Sequence, residues 1–527
     1  MMTKREEFFN WIVYQIYPRS FYDTNGDGIG DLNGIKEKIP HLKSLGINAV
    51  WLCPCYKSPN NDNGYDVSDY RDIMEDFGTF SDWKRLQKAL KKDGIKLIMD
   101  LVFNHTSSQH KWFQEAKTSQ SSPYHEYYIW RKNPPNDWKS VFGGSAWAYN
   151  ESTDEYYLHS FDETQPDLNW ENPKVRQEAA KIVDFWVKLG VDGFRCDVLD
   201  FISKDFKKDK MFQGPRLHEY IRELFDRDGV RDIFTVGECQ ADKKNTLLLC
   251  GKNRGELKTA FQFDHINLGR IDKYLPRPFS FDEIKSVLVK WQKFSQKHDL
   301  IYPLFTDNHD QPYYISRLGN DKAHRYACAT AYATTFYLLR GVPFLYQGQE
   351  YGAANPYYTK IEDFRDVETK RYYAEQKKSK PRHQLMQEIN YASRDNSRRP
   401  FAWTKDERTN FGFSAATPWI PCNSRAKEIN LEKDLESERS VFRYFQTLLA
   451  FRKGSLAIRQ GSFQDRTKRR RGCFLYERKW KRERLLIVCN FDKKQKIKLP
   501  KNRKFLFGNY PEAKEEFLPF QAAVYEL

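Results

Sequence analysis

Eight short, β-rich apolar runs alternate with longer amphipathic stretches along this chain, and no other feature restricts its fold so tightly. The runs are WIVYQIYP from Trp11, INAVWLCP from Ile47, IKLIMDLVFNH from Ile95 and VDGFRCDVLD from Val191. IFTVGE from Ile233, KTAFQFDH from Lys258, IYPLFTDNHD from Ile301 and VPFLYQGQE from Val342 complete the set. Between them lie segments such as NPKVRQEAAKIVDFWVKLG from Asn172, whose apolar residues recur at helical spacing. Eight strands separated by helices predict an α/β fold, a closed (β/α)8 TIM barrel. A Rossmann-like sheet is the alternative, but its Gly-rich phosphate turn is missing after the first run.

Two stretches exceed a minimal barrel. Residues 105–170, rich in Tyr, Trp, Pro and Gly, are too long for a structureless loop, so a subdomain inserted after strand 3 is expected over the barrel mouth. Residues 461–527 change to strand-like segments (GCFLYERKW, RLLIVCNFD, QKIKLP, AAVYEL), which predict a C-terminal antiparallel β domain, a β-sandwich. The barrel is then assigned to 1–104 and 171–460, with a further charged insertion at about 355–403.

Composition narrows the function classes. The net charge of +16 raises a nucleic-acid hypothesis, but most of the 87 Lys and Arg are interleaved with 71 Asp and Glu, and no nucleic-acid module accompanies them. The dense cluster RTKRRRG from Arg466 lies between two strand-like runs and is read as a hairpin loop. No nucleic-acid partner is expected. Aromatic residues make up 16% of the chain, which suits binding of flat, amphipathic ligands such as sugars or bases. Nine cysteines without metal-type spacing read as buried thiols in a reducing compartment. With neither a signal peptide nor an apolar run of membrane-spanning length, a cytoplasmic monomer without a membrane partner is expected.

In such a barrel, polar residues at strand C-termini are the catalytic candidates. They are Asn104-His105 after the third run, Arg195-Cys196-Asp197 in the fourth, Glu238 after the fifth and Asn308-His309-Asp310 after the seventh. A cap or a lysine partner accounts for any one of these acids alone. Three acids converging on one mouth match glycoside hydrolysis, where one carboxylate attacks and another donates a proton. A catalytically dead scaffold is the competing class, and retention of all three acids weighs against it.

These motifs, with YQIYPRSFYDTNGDGIGDLNGI, DNGYDVSDY, QPDLNWENP, YQGQE and SRDNSRRPFAW, resemble the α-amylase superfamily, glycoside hydrolase family 13. Within it the chain is most similar to the group of oligo-1,6-glucosidases, dextran glucosidases and trehalose-6-phosphate hydrolases. The resemblance implies Asp197 as nucleophile, Glu238 as acid and then base, and Asp310 as the residue that helps distort the sugar. It implies that Arg195 keeps the nucleophile ionised, His105 and His309 bond sugar hydroxyls, Tyr65 stacks, and Asp62 with Arg394 grips the far side of glucose. The implied activity is a retaining exo-α-glucosidase acting on isomalto-oligosaccharides, since Val198 directly after the nucleophile goes with α-1,6 bonds in this group. Trehalose-6-phosphate hydrolysis is the alternative, supported by NPYYTKIEDFRDVET and the basic chain, and CQADKKNTLLL after Glu238 matches neither pattern. Cys196 and Cys239 are read as buried small hydrophobes facing the helix layer.

DTNGDGIGD from Asp23 opens like an EF-hand loop, but its twelfth position is Gly34 where a bidentate Glu should close the shell. A sensor, a static clip and a polar turn are all compatible with that pattern. The resemblance implies the clip, a structural calcium held by Asp23, Asn25, Asp27, the Ile29 carbonyl and Asp31. No organic cofactor is expected.

Overall fold

All eight apolar runs form strands of one parallel sheet: β1 (Val13–Ile16), β2 (Ala49–Leu52), β3 (Lys96–Val102), β4 (Gly193–Asp197), β5 (Phe234–Gly237), β6 (Thr259–Ala260), β7 (Pro303–Leu304) and β8 (Val342–Tyr346). The structure is a computed structural model, and it describes residues 4–252, 256–512 and 515–527. Ladder pairing runs β6-β5-β4-β3-β2-β1-β8-β7. The circle closes between β6 and β7, both two residues long, through the Thr259 hydroxyl, which donates to the Ile301 carbonyl at 2.8 Å. Trp51, Phe261 and Phe344 pack across the interior with ring centroids 5.8 and 5.1 Å apart, and Trp11 seals the lower end against Phe234 at 4.9 Å. The barrel is thus a packed core, open to ligands only at its upper rim.

Helices wrap the sheet as the periodicity predicts. In α1 (Pro173–Lys188), Val175, Ala179, Ile182, Val183 and Trp186 are the buried positions, one stripe at helical spacing, and the Asn172 side chain caps the first turn at the Lys174 amide. α2 (Phe281–Lys297) follows β6 and starts with a capping box of Ser280 and Glu283. α3 (Arg325–Tyr337) has no polar face because it lies between the barrel and the C-terminal sheet.

The chain leaves and re-enters the barrel after β3 through a stem of antiparallel bridges, His105 with Asp167 and Tyr128 with Leu168. Beyond the stem, Glu155–Leu158 pairs with both Trp130–Arg131 and Trp147–Asn150. The charged stretch after β8 folds into α4 (Val367–Gln376) and α5 (Arg382–Ala392), packed around Phe364, Met386 and Ile389. At the C-terminus, β9 (Ser462–Asp465), β10 (Cys473–Trp480), β11 (Glu483–Asn490), β12 (Lys504–Gly508) and β13 (Ala522–Glu526) form an antiparallel sheet ordered β9-β10-β11-β13-β12. One face meets α3, with the Tyr476 hydroxyl donating to the Thr334 carbonyl at 3.2 Å. The other buries Leu475, Leu486 and Tyr525 beneath Ile497 and Phe517. Arg466 to Gly472 is the hairpin turn between β9 and β10.

Candidate active site

Alternation along β4 points Arg195 and Asp197 into the barrel mouth and Cys196 toward the helices. Arg195 is 1% exposed and is the hub of three carboxylates. Nη1 donates to Asp100 on β3 at 2.8 Å and to Asp197 at 2.6 Å, and Nη2 donates to Glu238. Register explains the gathering: Asp100 lies directly opposite Arg195, and the Glu238 amide continues the β4–β5 ladder by donating to the Cys196 carbonyl at 2.8 Å. The Glu238 side chain is 19% exposed against 8% for Asp197, so Glu238 faces the open cleft. Burial pushes the Asp197 carboxyl well above its ordinary pKa; Arg195 opposes the rise, and the charges of Glu238 and Asp100 add to it.

A second cluster closes the far wall. Arg394, from the turn after α5, donates from Nε to Asp366 at 2.9 Å, from Nη2 to Asp62 at 3.1 Å and from Nη1 to Asp310 at 3.3 Å. Arg398 donates to Asp310 at 2.6 Å and to the His309 carbonyl at 2.7 Å. Against the pull of burial, His309, Arg398 and Arg394 hold the Asp310 carboxyl well below the usual carboxylate range. For Asp62 burial wins over the same arginines, and its pKa rises to about 6.

Rings and amides tie the two clusters together. The Gln15 amide donates to His309 Nδ1 at 2.8 Å, which leaves Nε2 to carry the proton toward Asp310, 2.9 Å away, and the Tyr65 hydroxyl, 2.6 Å away. That hydroxyl donates to Asp100 at 3.1 Å, and the Tyr65 ring lies parallel to His309 with centroids 5.1 Å apart. His105 is buried, and burial lowers its pKa to about 4, so it is neutral. Its Nδ1 meets Asn104 at 3.2 Å and its Nε2 meets the Tyr65 carbonyl at 3.1 Å, so any sugar contact would share Nε2.

This geometry coincides with a match over residues 15–461 to the family model described as "Alpha amylase, catalytic domain". The chain belongs to the α-amylase family. Among relatives of this α-amylase-family chain, the oligo-1,6-glucosidase of Parageobacillus thermoglucosidasius is 44% identical over 98% of each chain. The trehalose-6-phosphate hydrolase of Bacillus subtilis (strain 168) is 40% identical, covering 91% of this chain and 89% of its own. Among solved structures, the trehalose-6-phosphate hydrolase of Bacillus licheniformis superposes with a TM-score of 0.91 at 38% identity, over 98% of this chain and 99% of that one.

The nine sequence-selected catalytic and substrate residues therefore share one α-amylase-family mouth, and the structure adds others that were not foreseen. Asp100, Asp366, Arg398 and Gln165 are all buried in it. Gln165 donates to Asp62 at 3.2 Å and joins the inserted segment to the far wall. Val198, after Asp197, has φ +32°, a left-handed conformation unusual for a β-branched residue, and its amide faces Glu238 at 3.3 Å. On the Glu238 side opens a cleft of about 860 Å³ lined by Val198, Asp200, Gln240, Lys244, Arg270 and neighbours. Cys196 and Cys239 are buried, and burial raises both thiols.

The Asp23–Asp31 loop lies apart from this chemistry. Asp23 accepts from the Gly26 and Gly28 amides at 2.8 Å each and from the Ser414 hydroxyl at 2.5 Å. Asn25 donates to Asp27 at 2.9 Å, and Asp31 accepts from the Gly34 amide at 2.7 Å as a helix cap. Among the described residues no three His, Cys, Asp or Glu side chains are gathered as a metal cage. A cation here would use the second lone pairs of Asp23 and Asp27 with the Ile29 carbonyl, and would replace the Asn25–Asp27 contact.

Proposed function

We propose that this chain is a retaining, exo-acting α-glucosidase that releases terminal α-1,6-linked glucose from isomalto-oligosaccharides. The observation that carries the reading is the pair of arginine hubs: Arg195 bridges Asp197 and Glu238, while Arg394 joins Asp62 to Asp310 across the far wall. One guanidinium spanning two carboxylates sets them close together, the arrangement of retaining enzymes rather than the water-wide gap of inverting ones. The ion pairs of Arg394 with Asp62 and Asp310 close the far wall, which favours capture of a terminal sugar and hence exo action. Asp197 attacks the anomeric carbon as Glu238 protonates the departing oxygen; Glu238, now a base, activates the water that releases glucose with its configuration kept. Asp310 and His309 would hold hydroxyls of the distorted sugar on the Tyr65 floor.

A second reading, trehalose-6-phosphate hydrolysis, is favoured by Lys243, Lys244 and Arg270 along the leaving-group cleft, where Asp200, Asp242 and Asp264 also lie and Asp264 pairs with Lys290 at 2.7 Å. Glucose release from isomaltose, panose, maltose, sucrose and trehalose-6-phosphate separates the two. Fast release from isomaltose and panose is expected; turnover confined to trehalose-6-phosphate would reverse the assignment, and no turnover would favour a scaffold. Nine unpaired cysteines support a reducing, cytoplasmic setting. Among the described residues no helix is long and apolar enough to cross a membrane.

We also propose that calcium, held by Asp23, Asn25, Asp27, the Ile29 carbonyl and Asp31, stiffens the loop after β1 and takes no part in catalysis. Chelation is expected to lower the melting temperature, because the mass-action stabilisation by a bound ion is lost, while initial rates stay within about two-fold. A melt unchanged across calcium concentrations reduces the motif to a polar turn.

A further inference from the structure

Positive charge on this protein is concentrated, not spread. Between Gly461 and Lys504 the chain carries seventeen Lys and Arg against four Asp and Glu, which accounts for thirteen of the sixteen net positive charges. The fold lays this segment beside the leaving-group side of the barrel. The Gly472 amide donates to Asp282 of α2 at 3.1 Å, Lys285 donates to the Arg470 carbonyl at 3.2 Å, and the Gln495 amide donates to the Arg471 carbonyl at 3.4 Å.

α2 presents Lys285, Lys293 and Lys297 on one face, and with Lys243 and His298 they line a groove of about 670 Å³. Asp465 is the one acid among its described lining residues. Lys285 is paired with Asp282 at 2.5 Å, whereas Lys243, Lys293 and Lys297 have no ion-pair partner among the described residues. Lys243 and Lys290 line both this groove and the cleft beside Glu238. Whatever departs past Glu238 therefore meets the lysine groove at the middle of α2, with Lys293 and Lys297 toward one end and Lys285 beside the Arg470 turn at the other.

We propose that the carrier accepted on the leaving-group side is a phosphodiester-linked chain bearing α-glucosyl groups, its phosphates tracking from the cleft through the lysine groove to the β9–β10 hairpin. This rests on the glucosidase reading and names a substrate class for it. A neutral oligosaccharide gives unpaired lysines nothing to bind. A single phosphate on the first leaving sugar meets Lys244 and Arg270 inside the cleft and does not extend to Lys293 and Lys297. Lys285 to Lys297 spans about 18 Å of helix, enough for several phosphates. The chemistry is unchanged: the bond from the anomeric carbon to the carrier oxygen breaks, Glu238 protonates that oxygen, water supplies the hydroxyl of glucose, and the carrier keeps its phosphates.

The test measures glucose release from α-glucosylated poly(glycerol phosphate), isomaltose and trehalose-6-phosphate by wild type, Lys293→Glu/Lys297→Glu and Arg469→Glu/Arg470→Glu. Raising salt from about 0.05 to about 0.5 M should cut kcat/KM on the polymer about ten-fold and on isomaltose less than about two-fold. Both charge-reversed variants should lose about ten-fold on the polymer at low salt and keep wild-type rates on isomaltose. A polymer cleaved no faster than isomaltose at low salt overturns the proposal, as do variants that keep wild-type rates on the polymer. Loss of trehalose-6-phosphate turnover alone in the variants replaces the polymer with a single phosphate. Failure of wild type on isomaltose sinks the underlying glucosidase reading, a separate result.

Discussion

Asp197→Asn and Glu238→Gln each lower kcat/KM on isomaltose by at least about a thousand-fold, while the melting temperature at neutral pH holds or rises. The two halves of this expectation have one cause. Asp197 is buried beside Glu238 and Asp100 with a single guanidinium among them, and burial pushes its pKa well above the ordinary carboxylate value. An acid raised on folding adds stability below its unfolded pKa and loses it as pH rises through the folded value. Near neutrality the ionised Asp197 is therefore a burden on the fold, held in place by the remainder of the core. Asn keeps the shape and one acceptor for Arg195 without the charge, so stability should recover as chemistry disappears. Steady-state kinetics and thermal melts across pH on the same preparations decide it. Substantial turnover in either variant refutes the assigned role; a melt that falls steeply in both shows the cluster to be structural.

Much of this was legible in the sequence, for physical reasons that also mark where legibility stops. The eight barrel strands were readable because short apolar runs set between helical periods have few other folds available. Strand ends were readable as chemistry because a barrel is packed everywhere except at its mouth, which is why Asp197, Glu238 and Asp310 stood out. Asp100 did not: it sits inside KLIMDLV, two residues before the strand ends, where only the partner strand reveals that it faces Arg195. Asp366 and Arg398 lie in or beside a stretch whose composition looks like solvated surface. Only tertiary folding shows that both are fully buried against Arg394 and Asp310. The left-handed backbone at Val198 was opposed by its residue type, since β-branched side chains disfavour that region. The charge between Gly461 and Lys504 was visible as a run, but its continuity with α2 and the cleft was not.

Arg394→Lys should cost about 3–5 kcal/mol of stability and about a hundred-fold in kcat/KM, with Arg394→Met worse on both counts. A guanidinium reaches Asp366, Asp62 and Asp310 from three nitrogens at once, and an ammonium on a flexible stem cannot hold all three. Removal of the hub leaves buried carboxylates facing one another, with Arg398 the remaining arginine contact. The pH dependence separates a hub from a mere substrate contact. Arg394 and Arg398, against burial, hold Asp366 far below the ordinary range, and Asp310 is likewise held low. An acid depressed on folding contributes stability above its unfolded pKa and loses it only as pH falls through the depressed folded value. Wild type should therefore keep this contribution well into acid, while Arg394→Lys should begin to lose stability at a higher pH. Asp62 behaves oppositely: with its pKa at about 6, the wild-type grip on glucose should weaken as pH drops below that value, raising KM before the fold is affected. Thermal melts and KM measured from about pH 4 to about pH 8, bracketing these carboxylates, read both effects. If the Lys variant raises KM but melts like wild type at every pH, Arg394 is a substrate contact only, and the wall it forms is held by other residues.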